Sequence, residues 1–289
     1  MFFVLPFYKL PIKHKDRAMK TTWIACACLL LFTNTGHAAG ERVPVGARAL
    51  GMGGTSVTQC DLWSLANNQA GTAWLKGGSA GLAFENHFML RDLMREQLGI
   101  AFSTRAGTFG LSGSRFGNDL YNEIKTGISY ARKFGKHLGV GIQLNYQRIH
   151  LGDDYGNKNL VSCEIGVLYQ AGNDLGVGIH LVNPVPVTIL ENPPEVLPSA
   201  LCTGLSYRFS DEFRATLEVE KGLVRKMFFR AGAEYHFAKP AYARVGMSTD
   251  PLACSFGFGL ISGRLAIDVA SGYHLVLGFS PSASVSYSF

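Results

Sequence analysis

The chain has 289 residues, of which 47% are apolar and only 17% charged, with a formal net charge of +6. Most of that surplus sits at the start, where Lys9, Lys13, Lys15, Arg17 and Lys20 face one acid, Asp16; the remainder is close to neutral and gives no basis for nucleic-acid binding. No apolar run reaches the ~18 residues that a bilayer-spanning helix requires.

Residues 1–38 read as an export signal. Residues 1–18 form an upstream extension, with Met19 as a candidate start. Met19-Lys20 supplies the positive end, Trp23–Phe32 a short apolar core, and Gly36-His37-Ala38 small residues at the cleavage positions. A single anchoring helix is the competing reading; the short core and the lack of a following charge cluster count against it. Cys26 and Cys28 lie in this core. Cys60, Cys163, Cys202 and Cys254 are widely scattered, with no metal or disulfide spacing, and read as packing residues.

Residues 39–77 show no strand alternation. Gly40–Leu75 is rich in glycine yet contains Leu50, Met52, Leu62, Trp63 and Leu65, apolar side chains that need a surface to bury against. The expectation is a plug that folds inward, into the lumen of the domain that follows.

From residue 78 to 289 the sequence is a series of short alternating segments. Leu138-Val140-Ile142-Leu144-Tyr146 interleaves with Gly139-Gly141-Gln143-Asn145-Gln147, and Leu175-Val177-Ile179-Leu181 with Gly176, Gly178 and His180. Successive side chains on a strand face opposite sides, so each segment has one apolar and one polar or thin face. About fourteen such segments can be counted. Their connections alternate between short ones (Arg105–Gly107, Ala171–Asp174, Ser262–Gly263) and mostly longer, polar ones (Met89–Glu96, His150–Asn159, Asn183–Ser199), as in transmembrane barrels. A soluble sandwich gives no reason for that alternation. The fold expected is therefore all-β, a transmembrane antiparallel barrel of about fourteen strands, with Leu144 toward lipid and Gln143 toward the lumen.

Two strands near Phe213–Val219 and Met227–Phe237 turn charge inward: Arg214 and Glu218 on one, Arg230, Glu234 and His236 on the next. Antiparallel pairing with a turn near Val224 sets Glu218 opposite Arg230 and Arg214 opposite Glu234, and opposite charges on facing positions help to select that register. Their role reads either as wall-stiffening ion pairs or as a surface for selectivity or partner contact. The last strand, Ser282–Phe289, alternates faultlessly and ends on Tyr287-Ser288-Phe289, an aromatic assembly signal that must pair with the first strand to leave no lipid-exposed edge.

Several stretches resemble a known group. Val45-Gly46-Ala47-Arg48-Ala49-Leu50-Gly51-Met52-Gly53-Gly54, then Asp61, then Asn68-Gln69-Ala70-Gly71, is similar to the opening of the PorV/PorQ outer-membrane proteins of the FadL-like superfamily, with Gln69 where an Asn-Pro-Ala-Gly element has proline. Asn183-Pro184-Val185-Pro186, Leu197-Pro198, Gly204-Leu205-Ser206-Tyr207 and Ala231–Tyr235 fit the same pattern. The resemblance implies a fourteen-stranded barrel with an inward plug, whose motif residues are Gly46, Arg48, Met52, Gly53, Gly54, Asp61, Asn68, Ala70 and Gly71. It also implies the outer membrane of a Gram-negative bacterium, and outer-membrane lipid as surroundings.

No catalytic, cofactor or metal residues are expected. Gly51–Gly54 is followed by no Lys-Ser/Thr pair, so it is not a phosphate loop. Asp153-Asp154 with Asn157 and Asn159 lacks the spacing and closing Glu of a calcium loop. Two functions remain for this non-enzyme: a component of a secretion system or surface assembly, of type IX kind, that binds a protein partner; or, as the alternative, a FadL-like passive channel for small hydrophobic molecules. The first is favoured slightly, by the motif match and the charged lumen.

Overall fold

The computed structural model describes residues 42–152, 156–190, 195–222 and 226–289. The export signal, Asp153-Asp154 and the turn at Val224 lie outside the described residues. The strands, in chain order, are β1 Gly78–Asn86, β2 Met94–Ser103, β3 Thr108–Gly117, β4 Tyr121–Phe134, β5 Leu138–Leu151, β6 Asn157–Ala171 and β7 Leu175–Val182. A small hairpin follows, β8 Thr188–Leu190 and β9 Glu195–Val196. Then come β10 Ala200–Arg208, β11 Phe213–Gly222, β12 Phe228–Ala238, β13 Ala241–Thr249, β14 Leu252–Ser262, β15 Leu265–His274 and β16 Gly278–Ser288.

All of these except β8 and β9 join a closed barrel of 14 antiparallel strands. Closure is made by β1 against β16, from Ser79 opposite Ser288 to Glu85 opposite Ser282. The Phe289 N–H donates to the Gly78 carbonyl at 2.8 Å and the Gly78 N–H to the Phe289 carbonyl at 3.0 Å. A side chain at Gly78 would collide with the Phe289 ring, which also meets Phe102 edge-on at 5.7 Å between centroids. We call this the terminal end of the barrel, and the opposite rim the loop end.

The alternating sequence produces a two-faced wall. Leu82, Phe84, Ile142, Leu144, Phe256 and Phe258 point outward and stay exposed, while the intervening positions are buried. A continuous apolar outer surface on a sheet without edges is a wall built for lipid. Leu144 is 64% exposed. Gln143, expected to face the lumen, does so and is only 1% exposed: its amide donates to Asn145 at 2.7 Å, and it packs beside Gly127. The interior is filled here, which the strand pattern by itself does not convey.

The register between β11 and β12 sets Arg214 opposite Glu234 and Glu218 opposite Arg230. Only the second pair closes directly, with Arg230 Nη1 on Glu218 Oε1 at 3.0 Å. Glu234 is held instead by Arg48 and Arg244, as detailed below. The loop from Asn183 to Ser199, read from sequence as an outer loop without strands, contains the β8–β9 hairpin; Asn183 takes a left-handed backbone and its side-chain amide donates to the Leu197 carbonyl at 3.0 Å.

The lipid-facing assignment has a direct test. Leu144→Arg should cost about 2–4 kcal/mol if the residue lies at the bilayer midplane, read as a sharp fall in folding yield into vesicles, whereas Leu144→Ile should fold like the parent. Equal yields for the two variants would contradict it.

Candidate functional site

The functional interior is built by residues 42–77 and the inward faces they lie against. This stretch holds two short helices, α1 (Ala47–Gly51) and α2 (Ser64–Asn67), and a 3₁₀ helix, Gln69–Trp74. None of these could stand alone, since isolated helices shorter than ~12 residues are marginal in water. What holds them is the wall.

The wall makes room through glycine. Inward-facing glycines pair directly across neighbouring strands: Gly81 with Gly99, Gly141 with Gly166, Gly178 with Gly204, and Gly232 with Gly246. The N-terminal segment lies in the space they leave. A Cβ added at Gly246 would sit 2.0 Å from the Gly53 nitrogen, at Gly232 2.4 Å from the Met52 carbonyl oxygen, and at Gly166 2.0 Å from Asn68 Oδ1. At Gly141 it would meet the Ala70 nitrogen at 2.5 Å. At Gly246, Gly232 and Gly141 backbone meets backbone, and at Gly166 the wall meets the Asn68 side chain, approaches that leave no room for a side chain on the wall. On the segment side, Gly53 and Gly54 have φ of +71° and +83°, so there too glycine is required by the turn itself.

Apolar residues of the segment fill the remaining gaps. Val45 and Trp63 pack on Ala83, Leu62 and Leu65 on Ala101, and Val57 on Ala200 and Cys202. Trp63 also closes over Gly46, whose added Cβ would fall 2.8 Å from the indole.

Two buried charge clusters bind segment to wall. In the first, Arg42 Nη1 and Arg230 Nη1 each bridge Glu218 (3.1 and 3.0 Å) and Glu220 (3.1 and 2.8 Å). Glu218 also accepts the backbone N–H groups of Ser56 at 2.7 Å and Val57 at 3.0 Å. In the second, Arg48 forks onto Glu234 at 2.7 and 3.0 Å and reaches Asp61 at 3.2 Å, while Arg244 joins Glu234 at 2.7 Å to Asp268 at 2.6 Å. A third network centres on Glu164 of β6, which accepts from Lys125 (2.6 Å), Gln69 (2.8 Å), Asn145 (2.9 Å) and His180 (3.0 Å). Gln69, in the place of a proline, thus contributes a buried hydrogen bond to the wall. Burial and the adjacent Asp61 push the Cys60 thiol up to about 11, so it stays protonated at neutral pH.

The residues singled out from sequence are therefore distributed over one surface. Gly46, Met52, Gly53, Gly54, Asn68, Ala70 and Gly71 make the close approaches; Arg48, Asp61, Glu218, Arg230 and Glu234 make the ion pairs; Tyr287 and Phe289 lie at the closure. Arg214 joins none of the ion pairs. Arg42, Arg244, Glu220 and Glu164 were not anticipated, nor was the pairing of Asp268 with Arg244. For Arg244 and Asp268 the signal was available, an acid or base alternating with apolar residues on β13 and β15. For Arg42 there was none, because its partners are far along the chain. Among the described residues, the ligand atoms of Cys202, Glu218 and Glu220 come within 4.8 Å of one another, but both carboxylates are committed to Arg42 and Arg230.

Two cavities border the segment among the described residues. One of about 110 Å³, toward the loop end, lies among Trp63, Leu65, Arg95, Gln97, Lys125 and Gln147. One of about 360 Å³ opens at the terminal end among Trp63, Arg208, Phe213, Arg214, Tyr242 and Ile261. Trp63, 5% exposed, borders both.

With this geometry in hand, comparison with solved structures is informative about the fold. The toluene transporter TbuX of Ralstonia pickettii superposes with a TM-score of 0.66 at 13% identity, over 86% of this chain and 99% of that one. A Pseudomonas aeruginosa FadL homologue gives 0.66 at 12%, over 87% and 100%, and the P. putida toluene transporter TodX 0.62 at 12%, over 86% and 99%. The chain has the fold of the FadL-like transport barrels. No protein-family model matches it, and no curated protein does.

Two outcomes test the seating of the segment. In a variant that keeps only Cys60, maleimide should label slowly at pH 7; adding Gly246→Val, which cannot coexist with Gly53 in place, should raise the rate several-fold while the barrel still folds. Trp63→Ala should enlarge the two cavities it borders and increase ion conductance in planar bilayers relative to the parent. Unchanged labelling and unchanged conductance would contradict this placement.

Proposed function

We propose that this protein is an outer-membrane channel for small hydrophobic molecules, exported by the signal in residues 1–38 and kept closed at rest by the plug of residues 39–77. The observation that carries this reading is the combination of a FadL-like barrel with an interior filled by its own N-terminal segment, leaving two small cavities bordered by Trp63. The named activities of the neighbours, toluene transport among them, agree with it. So does the loop end, where Met89, Leu90, Leu120, Leu275, Val276 and Leu277 stand exposed outside the strands, Val276 at 83%. Apolar side chains gathered at one rim suit the capture of an apolar solute.

This reverses the order favoured by the sequence. The charged lumen had counted toward a protein-binding role, but Glu218, Arg230 and Glu234 are spent on internal pairs. The loop from Asn183 to Ser199 also buries Asn183, Ile189 and Leu197, which leaves less of it for a docked protein. The reading as a secretion-system component of PorV/PorQ type keeps only the motif resemblance.

Transport is tested in cells from which the protein has been removed. Uptake of labelled toluene or of a long-chain fatty acid should slow several-fold and recover on re-expression. Unchanged uptake, together with a photo-crosslinker at Val185 capturing a defined secreted protein, would overturn the channel reading in favour of the partner one.

A further inference from the structure

The terminal-end cavity is bordered by two arginines that stand outside the ion-pair clusters. Arg208 closes β10 and Arg214 opens β11, and the two are directly opposite in the register. Both lie on the inward face, in line with the buried Ser206 on one strand and Thr216 on the other. Like charges on facing positions destabilise a sheet. Yet neither guanidinium makes an ion pair or a side-chain hydrogen bond among the described residues, while both line the 360 Å³ cavity.

The carboxylates nearby do not relieve them. Asp61 and Glu234 are taken by Arg48, and Glu234 and Asp268 by Arg244. Asp211 and Glu212 lie on the exposed turn between the two strands, and the Glu212 carboxylate accepts from the Ser210 hydroxyl at 2.8 Å. Two guanidinium forks thus remain, side by side, facing a space bordered by the apolar surfaces of Trp63, Phe213, Tyr242 and Ile261. Paired guanidinium forks match the geometry of an oxyanion, and a carboxylate is a compact planar one that also carries an apolar body.

We propose that this cavity is a binding site for a small aromatic carboxylate, its anionic group between Arg208 and Arg214 and its ring against Phe213, Tyr242 and Trp63. The inference is independent of whether the barrel conducts, because it concerns equilibrium binding at the terminal end.

The test uses the full-length protein in detergent micelles and benzoate as the probe, followed by calorimetry and by Trp fluorescence. Benzoate should bind the parent, and the Arg208→Gln/Arg214→Gln double variant should bind it at least about tenfold more weakly, as expected when charged hydrogen bonds are lost. Retained heat-modifiable mobility on gels would show that the variant is folded, and removal of a like-charge pair should leave its stability equal or higher. Benzyl alcohol, which lacks the charge, should bind no better to the parent than to the variant. Equal benzoate affinity in the two proteins, or none in the parent, would overturn the proposal. Inorganic phosphate binding as tightly as benzoate would also overturn it, by reducing the site to a general anion site without use for its apolar walls.

Discussion

The structure depends on one constraint: the inner wall must be thin where the chain's own N-terminal segment crosses it. A ring of fourteen strands encloses more space than its inward side chains fill. A water-filled channel is one solution; this chain adopts another. Glycines on at least eight strands, paired across the sheet at Gly81–Gly99, Gly141–Gly166, Gly178–Gly204 and Gly232–Gly246, lower the wall to bare backbone along a belt. Only with that belt can Met52-Gly53 and Asn68–Ala70 approach within contact of the strands.

The electrostatics follow the same division. Taken without the segment, each wall cluster has one acid too many: Glu218 and Glu220 against Arg230, and Glu234 and Asp268 against Arg244. The segment supplies Arg42 to the first, and Arg48 together with its own partner Asp61 to the second. Removing one partner from a buried charge cluster costs about 3–5 kcal/mol, so lifting the segment must be accompanied by water or by a ligand that compensates.

Much of this architecture was legible in the chain. Alternation along β5 and β7 and the uneven lengths of successive connections specify a closed membrane barrel, because lipid tolerates neither charge on one face nor an unpaired edge. Even the register of β11 and β12 followed from four charges. What did not follow was the partnership between those charges and the segment. Glu234 faces Arg214 in register but is held by Arg48, which lies 186 residues away in sequence, and no local pattern encodes such a distance. Gln143 reads as a lumen position and is one, yet the lumen there is solid. The inward glycines were visible as thin faces; that they form one belt appears only when the registers are known.

The central claim is that the segment from Arg42 to Gly77 sits inside the assembled barrel, and a disulfide trap tests it most directly. Thr55 and Thr216 bring their hydroxyls to 2.7 Å between segment and wall. In a protein whose own cysteines have been replaced, Thr55→Cys/Thr216→Cys in native outer membranes should form an intramolecular disulfide nearly quantitatively, seen as an altered mobility that reductant abolishes. A folded barrel in which those two cysteines remain free and separately reactive would contradict the account.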